Sequence, residues 1–292
     1  MTMLQLAISG LLLGGIYALL SGGLTLVFGV LRVINFAHGE FLMLGMYLAF
    51  YAWFLWRVDP YVAVLPIAGV LFAVGLGVYW LIIKRTIGGS ELTQVFSTLG
   101  LSIVLQNLAL LVFGGDYRTA QSEYAQGAFR IKSLYISKGL TLSFAIAVLL
   151  TVCLSLFLNR TLLGTAIRGI AQNSLASQLV GMNVNRLYAL TFAVGTASVG
   201  AAGALIAPLY SVYPRVGFDF LLIAFVIVVL GGLGSVTGVA IASALLGLVV
   251  SFSSYFLGAD WAELAYFVMF VLVLALKPDG IYGKRGAAVY GR

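Results

Sequence analysis

Charge, cysteine and histidine are nearly missing from this chain. Only 9% of its 292 residues are charged, against about a quarter in soluble domains, which excludes a water-soluble fold. The one cysteine, Cys153, sits in an apolar run. No disulfide framework or cysteine-based metal site can form within the chain. With a single histidine and nine acidic residues, clustered catalytic groups are also missing. There is no Gly-x-Ser-x-Gly elbow and no Ser/His/Asp grouping in a hydrolase context. The string Asp279-Gly280-Ile281-Tyr282-Gly283-Lys284 ends in Gly-Lys, but its spacing and lack of Ser/Thr exclude a P-loop. An enzyme is therefore not expected, and no cofactor is expected on this chain. The formal charge of +7 does not point to nucleic acid. The basic residues stand singly or in pairs at the ends of apolar runs, not in a patch interleaved with aromatics.

What the chain has is apolar sequence, 62% of its residues. A membrane span needs about 20 such residues. Nine candidates follow: 4–30, 41–56, 61–83, 95–113, 140–158, 187–209, 218–230, 236–257 and 261–276. The first is too long for the core of a signal peptide and reads as a retained span. The seventh is too short to cross alone and is expected to be half of a discontinuous element with the eighth. The fold class expected is an all-α integral membrane protein. It would be a polytopic bundle of about eight to ten spans in one domain, 1–292, with broken helices and two weakly similar halves. The similar segments are taken as 33–47 and 229–247. Each passes from apolar sequence through a Gly-containing break into a helix with small residues, a pattern that marks transport sites.

Alternating sides groups Arg32, Lys84, Arg85, Arg160, Arg168, Arg186, Lys277, Lys284, Arg285 and Arg292 at one face. Arg57, Arg118, Arg130, Lys132, Lys138 and Arg215 fall at the other. By the positive-inside rule the first face is cytoplasmic, with the C-terminus inside and the N-terminus outside. Thirty-five glycines, several in runs, would let helix backbones approach closely.

The candidate pathway residues lie at the breaks. Asn35-Phe36-Ala37-His38-Gly39-Glu40 sets a histidine and an acid between two apolar runs. An ionisable group at a helix centre costs about 3 kcal/mol or more, so it survives where it faces protein, water or cargo. Asn35 is expected to cap the following helix, and Glu40 to sit on its positive end. A lone histidine makes a poor proton relay. Gly231, Gly232, Gly234 and Ser235 form the second candidate break.

The 159–186 loop carries a different signal. Asn173 or Ser174 can cap a short helix that Gly181 ends. Leu175, Leu179 and Val180 fall on one stripe of it. Its polar face lacks the lysines of a lipid-surface helix, so docking of a partner by helix-in-groove contact is expected.

These strings resemble the permease subunits of branched-chain amino acid ABC importers. Val33-Ile34-Asn35-Phe36-Ala37-His38-Gly39-Glu40-Phe41 with Gly45 is similar to that family's N-terminal signature. Arg168-Gly169-Ile170-Ala171-Gln172-Asn173, with Ala176, Leu179 and Gly181, is similar to its cytoplasmic coupling segment. Gly231-Gly232-Leu233-Gly234-Ser235 with Gly238 resembles its Gly-rich element, and Lys277-Pro278-Asp279-Gly280-Ile281-Tyr282-Gly283 its C-terminal close. The family often carries acidic residues after the glutamine, which Asn173-Ser174-Leu175 lacks. The resemblance implies an inner-membrane importer half with the all-helical fold of ribose-type permeases. Its implied partners are a homologous second permease, two ATP-binding cassette subunits that use ATP, and a periplasmic substrate-binding protein, with lipid around the spans. It places ATPase coupling on Arg168, Gly169, Ala171, Gln172, Asn173, Ala176, Leu179 and Gly181. Urea and short-amide permeases share the Ala37-His38-Gly39-Glu40 string and stay an alternative cargo class. A secondary transporter working alone is the other rival. It usually shows more buried ionisable groups than this chain has.

Overall fold

The computed structural model describes residues 2–131, 134–278 and 280–282. Lys132, Asp279, Gly283, Lys284, Arg285 and Arg292, named above, lie outside the described residues.

Eleven helices carry the described chain: α1 (Thr2–Leu31), α2 (His38–Trp56), α3 (Pro60–Thr86), α4 (Glu91–Phe113), α5 (Lys138–Arg160), α6 (Leu162–Gln172), α7 (Ser174–Leu179), α8 (Val184–Ile206), α9 (Val216–Gly231), α10 (Val236–Phe256) and α11 (Ala259–Leu276). Seven are long and apolar enough to cross a membrane: α1 to α5, α8 and α10. Helices α9 and α11 contribute shorter apolar runs. Each of the nine apolar stretches read from the sequence lies on one of these helices. The 114–139 loop holds a hairpin of Ala128–Ile131 and Leu134–Ser137, paired antiparallel with Ala128 opposite Ser137. Its β-branched and aromatic residues favour that pairing.

Small residues set the packing. Helix α1 runs antiparallel to α10, because Gly10 lies against Gly247, Gly14 against Ser243 and Ala244, and Gly29 against Gly234. A Cβ at Gly14 would sit 2.7 Å from the Ser243 carbonyl oxygen. This is close backbone approach of the kind small residues permit in membranes. Helix α8 packs on α1, α2 and α3 and buries an almost continuous small-residue stretch from Val199 to Ile206.

Two ends of the bundle result. One holds the Ala128–Ser137 hairpin, the start of α5 and the end of α8. Tyr61 Oη at the start of α3 donates to the Gly139 carbonyl there (3.0 Å). The other holds the end of α1, the 231–235 turn and the amphipathic pair α6–α7. At that end the main chain of Ile281 donates to the Leu230 carbonyl (2.7 Å), which seats residues 280–282 under α9.

The two breaks have a geometry the sequence did not suggest. Helix α9 was expected to pair with α10 as halves of one element. Helix α9 does pack on α10, with Gly231 against Gly238, but α10 also follows α1 along its length, and the start of α9 meets α2. After α1 ends, residues 32–37 turn back into the bundle, and α2 begins level with Leu20 in α1. After α8 ends, residues 207–215 re-enter from the opposite end, and α9 begins against the start of α2. Helix α2 then runs to the hairpin end and α9 to the α6–α7 end. Each of the two helices carries an acid in its first turn, Glu40 in Glu40-Phe41-Leu42 and Asp219 in Asp219-Phe220-Leu221. Of the two segments taken as similar, 33–47 has its break at mid-bundle and 229–247 has its break at the α6–α7 end. Residues 231–235 form the turn into α10 and have no counterpart at mid-bundle.

Candidate functional site

The site is the point where α2 and α9 start nose to nose. A Cβ on Gly39 would collide with the Gly217 carbonyl, and one on Gly217 would lie 2.6 Å from the Gly39 carbonyl oxygen. Only glycine permits this contact. Two helix N-termini, each with unpaired N–H groups and a positive dipole end, are thereby brought together in the interior.

Residues 35–40 build the first half. Asn35 is buried, and its Oδ1 accepts from the Ala37 N–H (3.1 Å). This Asx turn satisfies one backbone donor before the helix, while the residue flanking the helix is Ala37, which makes no side-chain cap. The expected capping by Asn35 is therefore displaced by two residues. His38 is buried, with Nε2 3.0 Å from the Leu20 carbonyl oxygen of α1. A carbonyl only accepts, so Nε2 carries the proton. The ring also packs beside Gly23. His38 thus pins the start of α2 to the middle of α1.

Glu40 is fully buried. Its Oε1 accepts from Ser102 Oγ (2.9 Å) and Gln106 Nε2 (2.7 Å), both on α4. Its Oε2 has no hydrogen-bond partner among the described residues and faces the first turn of α9, 2.8 Å from where a Gly217 Cβ would be. The carboxyl therefore ties α2 to α4 and turns an unpartnered oxygen toward α9. Thr98 extends this seam, its Oγ1 donating to the Ile34 carbonyl (3.1 Å). Thr98, Ser102 and Gln106 repeat every fourth residue and form a polar stripe on one face of α4.

Asp219, the acid in the first turn of α9, is exposed and accepts from Tyr213 Oη. An exposed carboxylate at this depth is costly against lipid. The face of the bundle that bears Asp219 therefore looks onto water, cargo or another subunit.

The chain matches, over residues 6–276, the family described as the permease component of branched-chain amino acid transport systems. It belongs to that family. The permease is 33% identical to the high-affinity branched-chain amino acid transport system permease protein BraD of Pseudomonas aeruginosa, over 96% of each chain. It is 31% identical to the permease protein LivH of Escherichia coli K12, again over 96% of each. It is 29% identical to LivM of the same organism, over 91% of this chain and 67% of that protein. No solved structure matches it.

The remaining sequence candidates lie elsewhere in the permease. Gly231, Gly232, Gly234 and Ser235 close the α9–α10 turn. Gly232 and Gly234 take positive φ (96° and 80°), and Ser235 Oγ caps α10 by accepting from the Gly238 N–H (3.1 Å). They stand one α9 length from Gly217, about 21 Å along the helix. They therefore do not share a site with Glu40. In the 159–186 segment, Asn173 Oδ1 caps α7 by accepting from the Ala176 N–H (2.9 Å), and Gly181 follows the helix with φ 85°. Leu175, Leu179 and Val180 are 67%, 82% and 74% exposed. So much apolar surface at one tip leaves a ready contact patch. Ala176, Gln172 and Asn173 are also exposed, whereas Arg168, Gly169 and Ala171 are half-buried beneath them. Ser102, Gln106, Gly217 and Asp219 were missed by the sequence reading. The four-residue polar repeat on α4 and the Glu-Phe-Leu/Asp-Phe-Leu echo were the signals available.

Proposed function

We propose that this permease moves branched-chain amino acids across the inner membrane by alternating access, as one subunit of an ATP-driven importer. The observation that carries this reading is the pair of oppositely directed helices α2 and α9, whose N-termini are closed on each other by Gly39 and Gly217, with Glu40 beside the junction. Helix N-termini meeting at mid-bundle between inverted elements are the usual architecture of a transport site. The cargo follows from the relatives named above, all of them named for branched-chain amino acids and none for urea or amides.

In this reading the chain is not catalytic and binds no cofactor. Two ATP-binding cassette subunits hydrolyse ATP beneath it, and a homologous permease of the LivM kind pairs with it. A periplasmic binding protein delivers cargo at the hairpin end. The α6–α7 end and the C-terminus are cytoplasmic, and segment 159–186 carries the ATPase motion into the bundle. ATP drives vectorial movement only by binding one conformation better than the other. The exposed Leu175–Leu179–Val180 stripe is the docking surface. Asn35, His38, Gly39, Glu40 and Asp219 lie at the cargo barrier, with Gly231–Ser235 acting as a hinge for α9 at the cytoplasmic end.

The test is gentle purification of the tagged permease from its native host. Recovery of a second permease and two ATPases, with leucine uptake in reconstituted vesicles that needs ATP, is the expected result. Uptake by this chain alone under an ion gradient would overturn the reading. For the coupling segment, Ala176→Trp adds bulk at an exposed position, so the fold should be kept. Transport-linked ATP hydrolysis should fall about tenfold, the effect of ~1.4 kcal/mol lost at an interface. Normal coupling in this variant would remove docking from α7.

A further inference from the structure

A second site lies away from the mid-bundle junction. Helices α5 and α10 both pack on α1, but they separate toward the α6–α7 end and leave a cleft of about 370 Å³. Its back wall is α1 from Ala18 to Val30, and Arg168 of α6 stands at its floor. Since α1 closes the back, the cleft opens sideways, out of the bundle.

Three observations define what fits there. The stretch of α1 from Ala18 to Val30 rises about 18 Å, close to one leaflet of a ~30 Å hydrocarbon core. Its walls are mostly apolar, with Leu19, Leu26 and Leu154 among them. Its one charged group stands at one end: among the described residues the Arg168 guanidinium donates to neutral oxygens, those of Leu158, Asn159 and Thr165, so no carboxylate neutralises it there. Thr25 Oγ1, fully buried in the wall, has no partner among the described residues. An apolar slot one leaflet deep, with a cation at its α6–α7 end, has the shape and charge of a phospholipid. Neither a small anion nor an amino acid would use the length of the slot.

The geometry points to a bound anionic phospholipid of the leaflet at the α6–α7 end, with an acyl chain along α1 and its phosphate on Arg168. The headgroup would then brace α6 against α5, the helix that leads into the coupling segment. Arginine is suited to phosphate because its planar fork presents paired donors.

The experiment is native mass spectrometry of the permease in its complex, released from nanodiscs of phosphatidylglycerol and phosphatidylcholine in equal parts. One phosphatidylglycerol should stay with each copy of the chain. Ala240→Phe fills the cleft from α10 and Thr151→Phe fills it from α5. Each should lower that retention about tenfold while circular dichroism and the melting temperature stay near wild type. Two variants on opposite walls keep the test open if one of them misfolds. Equal retention in wild type and a folded variant would overturn the proposal. So would equal retention of the two lipids, which would remove Arg168 from the site. Displacement by inorganic phosphate alone would also overturn it, because the site would then hold a free anion.

Discussion

Gly39→Val is expected to leave almost no folded permease in the membrane. The first carbon of the new side chain collides with the Gly217 carbonyl and would lie 2.9 Å from Leu221 Cβ. Both neighbours belong to α9, and the main chain cannot rotate away as a side chain can. Overpacking a core costs about 1–3 kcal/mol when side chains can yield. Here α2 and α9 must separate, so the cost exceeds that range. Even Gly39→Ala should lower the yield of folded protein sharply. Gly69→Ala is the control, since a Cβ there meets nothing within 4 Å. In mid-helix it should be neutral or stabilising by up to ~1 kcal/mol. Yield by fluorescence-detected size exclusion compares the three. Wild-type yield of Gly39→Val would mean that α2 and α9 do not touch there.

Glu40→Ala should fold but transport poorly. Helix α4 packs lightly on its neighbours and is joined to the junction by few polar contacts, of which the Glu40 carboxyl accepts two. Interhelical hydrogen bonds in membranes are worth about 0.6 kcal/mol on average and up to ~1.7. Losing both, and leaving Ser102 and Gln106 only their long contact with each other (3.5 Å), should cost about 1–3 kcal/mol. That is less than the Gly39 clash, so the protein survives. The loss falls on the seam between α4 and the paired half-helices, so leucine uptake per folded complex should drop at least about tenfold. Glu40→Gln keeps the shape and one acceptor, and should retain more uptake than Glu40→Ala. Equal, unimpaired uptake in both variants would exclude the seam from transport.

Much of this fold was legible in one sequence. The long apolar stretches announced themselves because a bilayer demands about 20 apolar residues per crossing. Asn173 and Gly181 announced the limits of α7, because capping and positive φ are local chemistry. The break at residues 35–40 was legible because ionisable groups between apolar runs are expensive. The partner of that break was not. Leu233 and its flanking glycines drew attention as a second break, and they form the turn between α9 and α10, away from the mid-bundle junction. The start of α9, which abuts α2 and carries Asp219, sits among apolar residues with no glycine run to flag it.

The sequence alone thus determined that the chain is a polytopic helical membrane protein, where its helices run, and which family it resembles. These are properties of hydrophobic length, local caps and short motifs, all set by neighbours in the chain. Only the tertiary structure decided that α2 meets α9, that Glu40 reaches Ser102 and Gln106 some 60 residues away, and that His38 grips α1. Inside a membrane lipid is as apolar as the helices, so hydrophobicity places a helix in the bilayer without choosing its partner. That choice rests on which backbones can approach and which polar groups must find each other, and both are known only once the helices are packed.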